Sequence, residues 1–317
     1  MSVTEPILLG DPHLGKVFKT GVPFHRLGDR EKTQWADFHQ SLARGGEHGF
    51  HICVGDLFDQ FTVPYAVVLQ AARAYQDVAR KHPSTDFVVL RGNHDGSRIA
   101  GAVSAYDVFA ALMEDTPNVH VLYDEPQNFD RRLFVPWTPF VDAHHMVEPY
   151  HDASFDAVYG HWDVIDFGGS NTNLVPLPIL HGMTGRVVTG HDHHKKTLVT
   201  PEGTQLVMTG SMQPYAHGED AEDATDKRYR TVTLAELSAI PDTRDLCLRV
   251  KLRPGEDLPE GLDALQITTV RVQEQFDDTN TPEVDVAAFD LANLFKESCD
   301  EQELLDPTRE ALWENLR

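Results

Sequence analysis

Short apolar runs recur along the chain as far as about residue 240, and nearly every one ends in a polar turn. Ile7-Leu8-Leu9, His51-Ile52-Cys53-Val54, residues 87–90, Leu133-Phe134-Val135, Phe155 to Tyr159 and Arg186 to Thr189 are too short for helices and read as buried strands. Helical spacing lies between them. Trp35, Phe38 and Leu42 share one face of a helix over 31–43, and Pro64 opens a helix over 64–80 whose buried side carries Val68, Ala71, Tyr75 and Val78. A further helix is expected over 102–114 and a strand over 118–123. Residues 195–200 and 205–209 form a hairpin around Pro201-Glu202-Gly203, and 228–237 reads as a closing strand. This strand, turn, helix rhythm is that of an α/β fold.

Beyond residue 240 the pattern changes. Two strand-like runs (246–252 and 265–272) precede a polar linker at 277–281 and an amphipathic stretch containing Val286, Phe289, Leu291, Leu294 and Phe295. Asp306-Pro307 caps a last short helix. The expected division is 1–240 as the main domain, 241–280 as a small region behind it, and 281–317 as a helical acidic tail. That tail is either a solvated appendage or a segment docking a partner through its apolar stripe.

The 317 residues are 41% hydrophobic, enough for a sizeable core. No run approaches the roughly 18 apolar residues of a membrane span, and the N-terminus carries no basic, cleavable leader, so a cytoplasmic protein is expected. Its three cysteines lack metal-type spacing and read as reduced thiols. The formal net charge of −23 matters more. Nucleic-acid binders take most of their affinity from basic residues on phosphates, so this chain would need metal ions, local basic patches or a partner to hold DNA.

The strand-end turns carry the chemistry. Gly92-Asn93-His94-Asp95 alone would equally be a polar turn with a surface histidine. Four other turns decide the matter: Asp11/His13, Asp56/Asp59, His161 and His191/His193. In Asp11-x-His13 and His191-x-His193 the i, i+2 spacing puts both side chains on one face of an extended segment. With Asp56 as a bridge the set divides into two groups of four, Asp11, His13, Asp56, His193 and Asp56, Asn93, His161, His191. Mixed nitrogen and oxygen ligation suits manganese, iron or zinc better than calcium, and two such ions can clamp a phosphate for in-line displacement.

Asp-x-His, Gly-Asp-x-x-Asp, Gly-Asn-His-Asp, Gly-His and Gly-His-x-His, in this order, resemble the calcineurin-like metallophosphoesterases. Gly55-Asp-Leu-Phe-Asp59, Leu90-Arg-Gly-Asn-His-Asp95, Val135-Pro-Trp137, Gly160-His-Trp162 and Gly210-Ser-Met-Gln-Pro-Tyr215 carry a nearer likeness to the SbcD-type DNA nucleases, in particular the recombination endonucleases of tailed phages. The resemblance covers about 7–237 well and the tail weakly. It implies a β-sandwich flanked by helices, two divalent ions (manganese first, with iron, zinc or magnesium as the other candidates) and phosphodiester hydrolysis. It also implies His94 as the general acid with Asp95 orienting it, a homodimer through helices 31–43 and 64–80, and an SbcC-like ATPase partner that brings the DNA. Lys16, Lys19, His25, Arg26 and Arg30 of the loop after the first motif, with Arg91 and Arg98, are the candidates to flank the phosphate. Asp59, Asp192 and His194 are expected to be structural. The region 241–280 is shorter and more acidic than the capping domain such nucleases carry. A small-molecule phosphodiesterase acting on nucleotides is the competing reading.

Overall fold

A computed structural model describes residues 5–99, 101–164, 171–219 and 227–272. The chain divides into two units, Met1–Arg271 and Val272–Arg317. Of the second only Val272 is described, so the expected linker, amphipathic stretch and terminal helix lie outside the described residues.

Three sheets form the first unit. The first has the order β1 (Ile7–Leu9), β2 (Phe50–Cys53), β3 (Asp86–Leu90), β4 (Val119–Leu122), with every pair parallel. The second runs β5 (Gln127–Phe129), β6 (Arg132–Val135), β7 (Ala157–His161), β8 (Arg186–Gly190), β10 (Gln205–Met208), β9 (Lys196–Val199). Here β6, β7, β8 and β10 are parallel, and β9–β10 is the expected hairpin. Parallel strands deliver all their C-terminal turns to one edge, which is where α/β folds build sites.

Alternation along each strand separates the layers. Ile52, Val54, Val88 and Leu90 of the first sheet pack against Phe134, Tyr159 and Val188 of the second. The opposite face of the first sheet, with Cys53, Phe87 and Val89, is covered by α1 (Asp29–His48), α2 (Tyr65–Lys81) and α3 (Ala105–Met113). Leu133, Val158 and Val187 on the far side of the second sheet meet the short helices α4 (Ala143–Val147) and α5 (Leu177–Leu180). This is the helix-flanked β-sandwich the sequence leads one to expect.

Two element readings need correction. Helix α1 does not stop at Ala43 but runs through Gly45 and Gly46 to His48, closing on Gly49 in a left-handed cap. A Cβ at Gly45 would lie 2.6 Å from the His51 ring and one at Gly46 2.6 Å from the His82 ring, so the glycines permit close packing rather than ending the helix. The run 228–237 is not one strand. It is β11 (Tyr229–Thr233) followed by α6 (Leu234–Ser238), started by a capping box between Thr233 and Glu236. Strand β11 joins β12 (Cys247–Leu252) and β13 (Gln266–Arg271) in a third, parallel sheet that takes strands from both sides of residue 240. Among the described residues no helix is long and apolar enough to cross a membrane.

Candidate metal centre

The five motif turns meet at the edge where the two large sheets release their strands. The turns of the first two motifs are laced together: His13 N donates to the Asp56 carbonyl, Leu14 N to Leu57 and Asp59 N to Leu14. From α1, Gln34 Nε2 donates to the Pro12 and His13 carbonyls, and the Tyr215 hydroxyl donates to Pro12 as well. Asp11, His13, Asp56 and His191 all have positive φ, an uncommon state for residues other than glycine that concentrates at functional sites. Gly92 explains one close approach: a Cβ there would lie 2.1 Å from Asp56 Oδ1.

All seven residues expected to bind metal come together, and His94 joins them beside His13 and Asp56. His13 Nε2 lies 3.1 Å from His193 Nε2, with Asp56 Oδ2 at 3.9 Å from the former and Asp11 Oδ2 at 3.7 Å from the latter. Asn93 Oδ1 lies 2.9 Å from His161 Nε2 and 2.8 Å from His191 Nδ1, and Asp56 Oδ2 lies 3.3 Å from His161 Nε2. Asp11, His13, Asp56 and His161 are buried, while His191 and His193 stay partly open.

The outward nitrogen of each imidazole faces an oxygen, although His13 Nδ1 makes no hydrogen bond among the described residues. His161 Nδ1 donates to the Val54 carbonyl at 2.9 Å, and His193 Nδ1 faces Glu219 Oε1 at 3.3 Å. His191 Nε2 lies 3.5 Å from Asp163 Oδ2 and His13 Nδ1 lies 3.4 Å from Asp59 Oδ1. Carbonyls and carboxylates only accept, so these contacts put the proton of a neutral ring on the outer nitrogen and leave the inner one bare. Neutral rings in that state would set the His161 and His191 lone pairs against the Asn93 oxygen at hydrogen-bond distance. Acceptor against acceptor is repulsive unless a cation lies between. Asp11 Oδ1, buried and without a hydrogen-bond partner, adds another lone pair to the centre.

Without a cation, the negative potential of the centre holds protons on these rings instead. Burial opposes a charge on His161, but Asp56 and Asp11 outweigh it and its pKa is pushed up to about 9. Burial likewise opposes the charge on His193, and Glu219 and Asp11 overcome it, raising that ring. Asp56 resists burial and stays well below the usual carboxylate range because His161 and His13 surround it. Oxygen and imidazole donors sharing one carboxylate therefore fit two divalent cations, of which Asp11, His13, Asp56 and His193 would hold one and Asp56, Asn93, His161 and His191 the other.

His94 is exposed at the rim, its ring 4.7 Å from that of His13. Asp95 does not hold it. The Asp95 carboxylate is buried and accepts N–H bonds from Leu57, Phe58 and Gly92, clamping the second motif turn to the third. Burial and the Asp56 charge raise its pKa to about 8, against those three donors. His94 Nδ1 instead bonds the Asp59 carbonyl at 2.7 Å. Asp59 thus steadies His94 through its backbone, while its carboxylate lies beside His13 and pairs with Lys16 at 2.9 Å.

The residues expected around the phosphate are mostly engaged elsewhere. His25 and Arg26 both pair with Asp263 at 3.1 Å, and Arg26 also bonds Asp29 and the Arg244 carbonyl. Arg30 is buried against the Phe18 ring. Arg91 is buried and held by Asp107, Asp124 and the Trp137 carbonyl. Arg98 is exposed and bonds the Thr172 hydroxyl. The sequence reading missed Asp163 and Glu219. Asp163 follows the Gly160-His-Trp162 motif directly and was within reach of it, whereas Glu219 carries no spacing signal. A further group of metal-competent side chains, Asp142, His144 and His145, lies at the start of α4 outside the motifs.

No family model and no curated protein matches the chain. Among solved structures it is similar to the crystal structure of a dimetal phosphatase from Danio rerio, at 12% identity and a TM-score of 0.35, over 66% of this chain and 88% of that one.

Proposed function

We propose that the chain is a two-metal phosphodiesterase acting on DNA, the catalytic subunit of an SbcCD-type recombination and repair complex. The observation that carries the hydrolytic part is the convergence of two nitrogen and oxygen donor groups on a shared Asp56, with an exposed imidazole at the rim. The motif series supports the nuclease part.

Bound there, two cations would supply Lewis acidity and lower the pKa of an attacking water. The chain's own residues do the rest. The outer partners of His161, His191 and His193 favour the tautomer that offers the inner lone pair. Asp95 holds the second and third motif turns in register. The Asp59 carbonyl accepts a hydrogen bond from His94 Nδ1–H, which leaves Nε2 as the atom that gives a proton to the departing oxygen when the ring is charged. The acidic surface supports a partner that carries the DNA, and the segment we assign to docking is 282–317.

Purified protein loaded with manganese should cut single-stranded DNA or degrade duplex ends. His94→Ala should lower turnover by roughly 100-fold or more while metal content stays unchanged. Hydrolysis limited to cyclic nucleotides, with DNA untouched even beside an ATPase partner, would overturn the nuclease reading. One observation favours that alternative: the basic residues Lys16, Arg26 and Arg30 are spent on internal partners.

A further inference from the structure

A pocket of about 310 Å³ lies against the turn that carries His94. One wall is the segment after Asp95, with Gly96, Ser97 and Ile99; the other is the turn after β6, with Thr138, Phe140 and Val141. Both walls spring from one junction, where Trp137 N donates to the Arg91 carbonyl at 2.8 Å and a Cβ at Gly96 would lie 2.6 Å from the Trp137 ring. Arg91 leads straight into Gly92 and Asn93, so pocket and metal ligands share a rigid stem. Ile99 and Phe140 are 72% and 66% exposed. Large apolar side chains held in water along a pocket wall mark a binding surface.

We propose that this pocket receives an unpaired nucleobase of the strand being cut, stacked on Phe140. The inference rests on the phosphodiesterase reading above and names the part of the substrate this site takes. Size supports a base, because the volume is at the small end of ligand pockets. Chemistry supports stacking over edge recognition. The strong donors of the pocket are already committed, Arg91 to Asp107, Asp124 and Trp137 and the Thr138 hydroxyl to the Val141 carbonyl, while the Ser97 oxygen accepts from Ile99 N. A flat aromatic face tolerates every base. Arg98, between Ser97 and Ile99, makes no ion pair among the described residues and leaves a cation at the rim for a neighbouring phosphate. A paired base has both faces and its edge covered, so the pocket selects single strands or frayed ends.

The test reads binding separately from turnover. Full-length protein is titrated into a single-stranded oligonucleotide carrying one 2-aminopurine, whose fluorescence falls on stacking, and strand cleavage is followed in parallel. Wild type should quench the probe. Phe140→Ala should weaken binding roughly 5- to 150-fold, the range for one base on one aromatic ring, and Phe140→Trp should restore it. Phe140 is largely exposed, so its truncation leaves the fold in place. Quenching that Phe140→Ala leaves unchanged, or no quenching by wild type, overturns the pocket. Quenching that depends on Phe140 without any strand cleavage leaves the pocket standing and removes the nuclease reading instead.

Discussion

At the scale of single residues, the centre is defined as much by what lies behind each ligand as by the ligand. Each of the four imidazoles has one nitrogen toward the centre and the other against an acceptor: Val54, Asp163, Glu219 or Asp59. Glu219 is itself fixed by Tyr215 N at 2.7 Å and Asp163 by Asn171 at 2.8 Å. Replacing such a carboxylate by its amide keeps the volume but frees the ring to turn or change tautomer. Glu219→Gln and Asp163→Asn should each weaken manganese binding roughly 10- to 100-fold, measured by competition with a chelating dye. Wild-type affinity in both would show that the outer contacts are incidental. Gly92→Ala tests the same geometry from the backbone. The new methyl collides with Asp56 Oδ1, and because Asp56 belongs to both groups, the variant should lose both metal equivalents in elemental analysis. Loss of a single equivalent would refute Asp56 as the bridge.

At the scale of elements, the layers were legible because period-2 alternation and short apolar runs report burial directly, and the motif turns were legible because each follows such a run. What escaped was set by distant partners. Gly45-Gly46 looks like a helix stop, and only His51 and His82, from β2 and the end of α2, show why the helix continues. Asp95 looks like the partner of His94 because it is adjacent in sequence, yet the turn aims it at three backbone N–H groups of other residues. Glu219 is invisible until the loop after β10 folds back on His193. The α1–β2 contact has a consequence for stability. His51 is fully buried beneath Gly45, with Ser41 near Nε2 and no partner for Nδ1, and burial drives its pKa down to about 3. The unfolded chain, with a pKa near 6.5, binds the proton that the native state refuses, so stability is complete above that value and falls as pH drops toward 3. Between pH 7 and 5 the loss from this group is about 2 kcal/mol. Urea unfolding of wild type and His51→Gln at both pH values isolates it, since contributions from the metal centre cancel in the difference. The variant should lose about 2 kcal/mol less on acidification, and equal losses would mean that His51 does not control this dependence.

At the scale of the whole molecule, charge decides how substrate arrives. The formal charge is −23, and two divalent ions would cancel only about four of those charges. Residues 241–317 alone hold 19 acidic against 8 basic side chains, although the described part of that stretch contributes the Asp263 that takes up His25 and Arg26. With His25 and Arg26 so engaged, a DNA strand approaching the isolated chain meets a predominantly acidic molecule. Salt then acts in an unusual direction. For a basic protein, added salt weakens DNA binding steeply because fewer counterions are gained by release. Here added salt chiefly screens repulsion, whose range is about 10 Å at 0.1 M. The KM of the isolated chain for single-stranded DNA should therefore stay level or fall as potassium chloride rises from about 50 to 200 mM, a range over which basic binders lose about a thousandfold or more. Adding an ATPase partner that carries the strand should lower KM and restore the ordinary loss of affinity with salt, and deleting 282–317 should remove that change. A steep loss with salt in the isolated chain would mean that a basic track reaches the centre and that no carrier is needed. The slope, read with and without the partner, therefore tells whether this centre finds its own substrate or has it delivered.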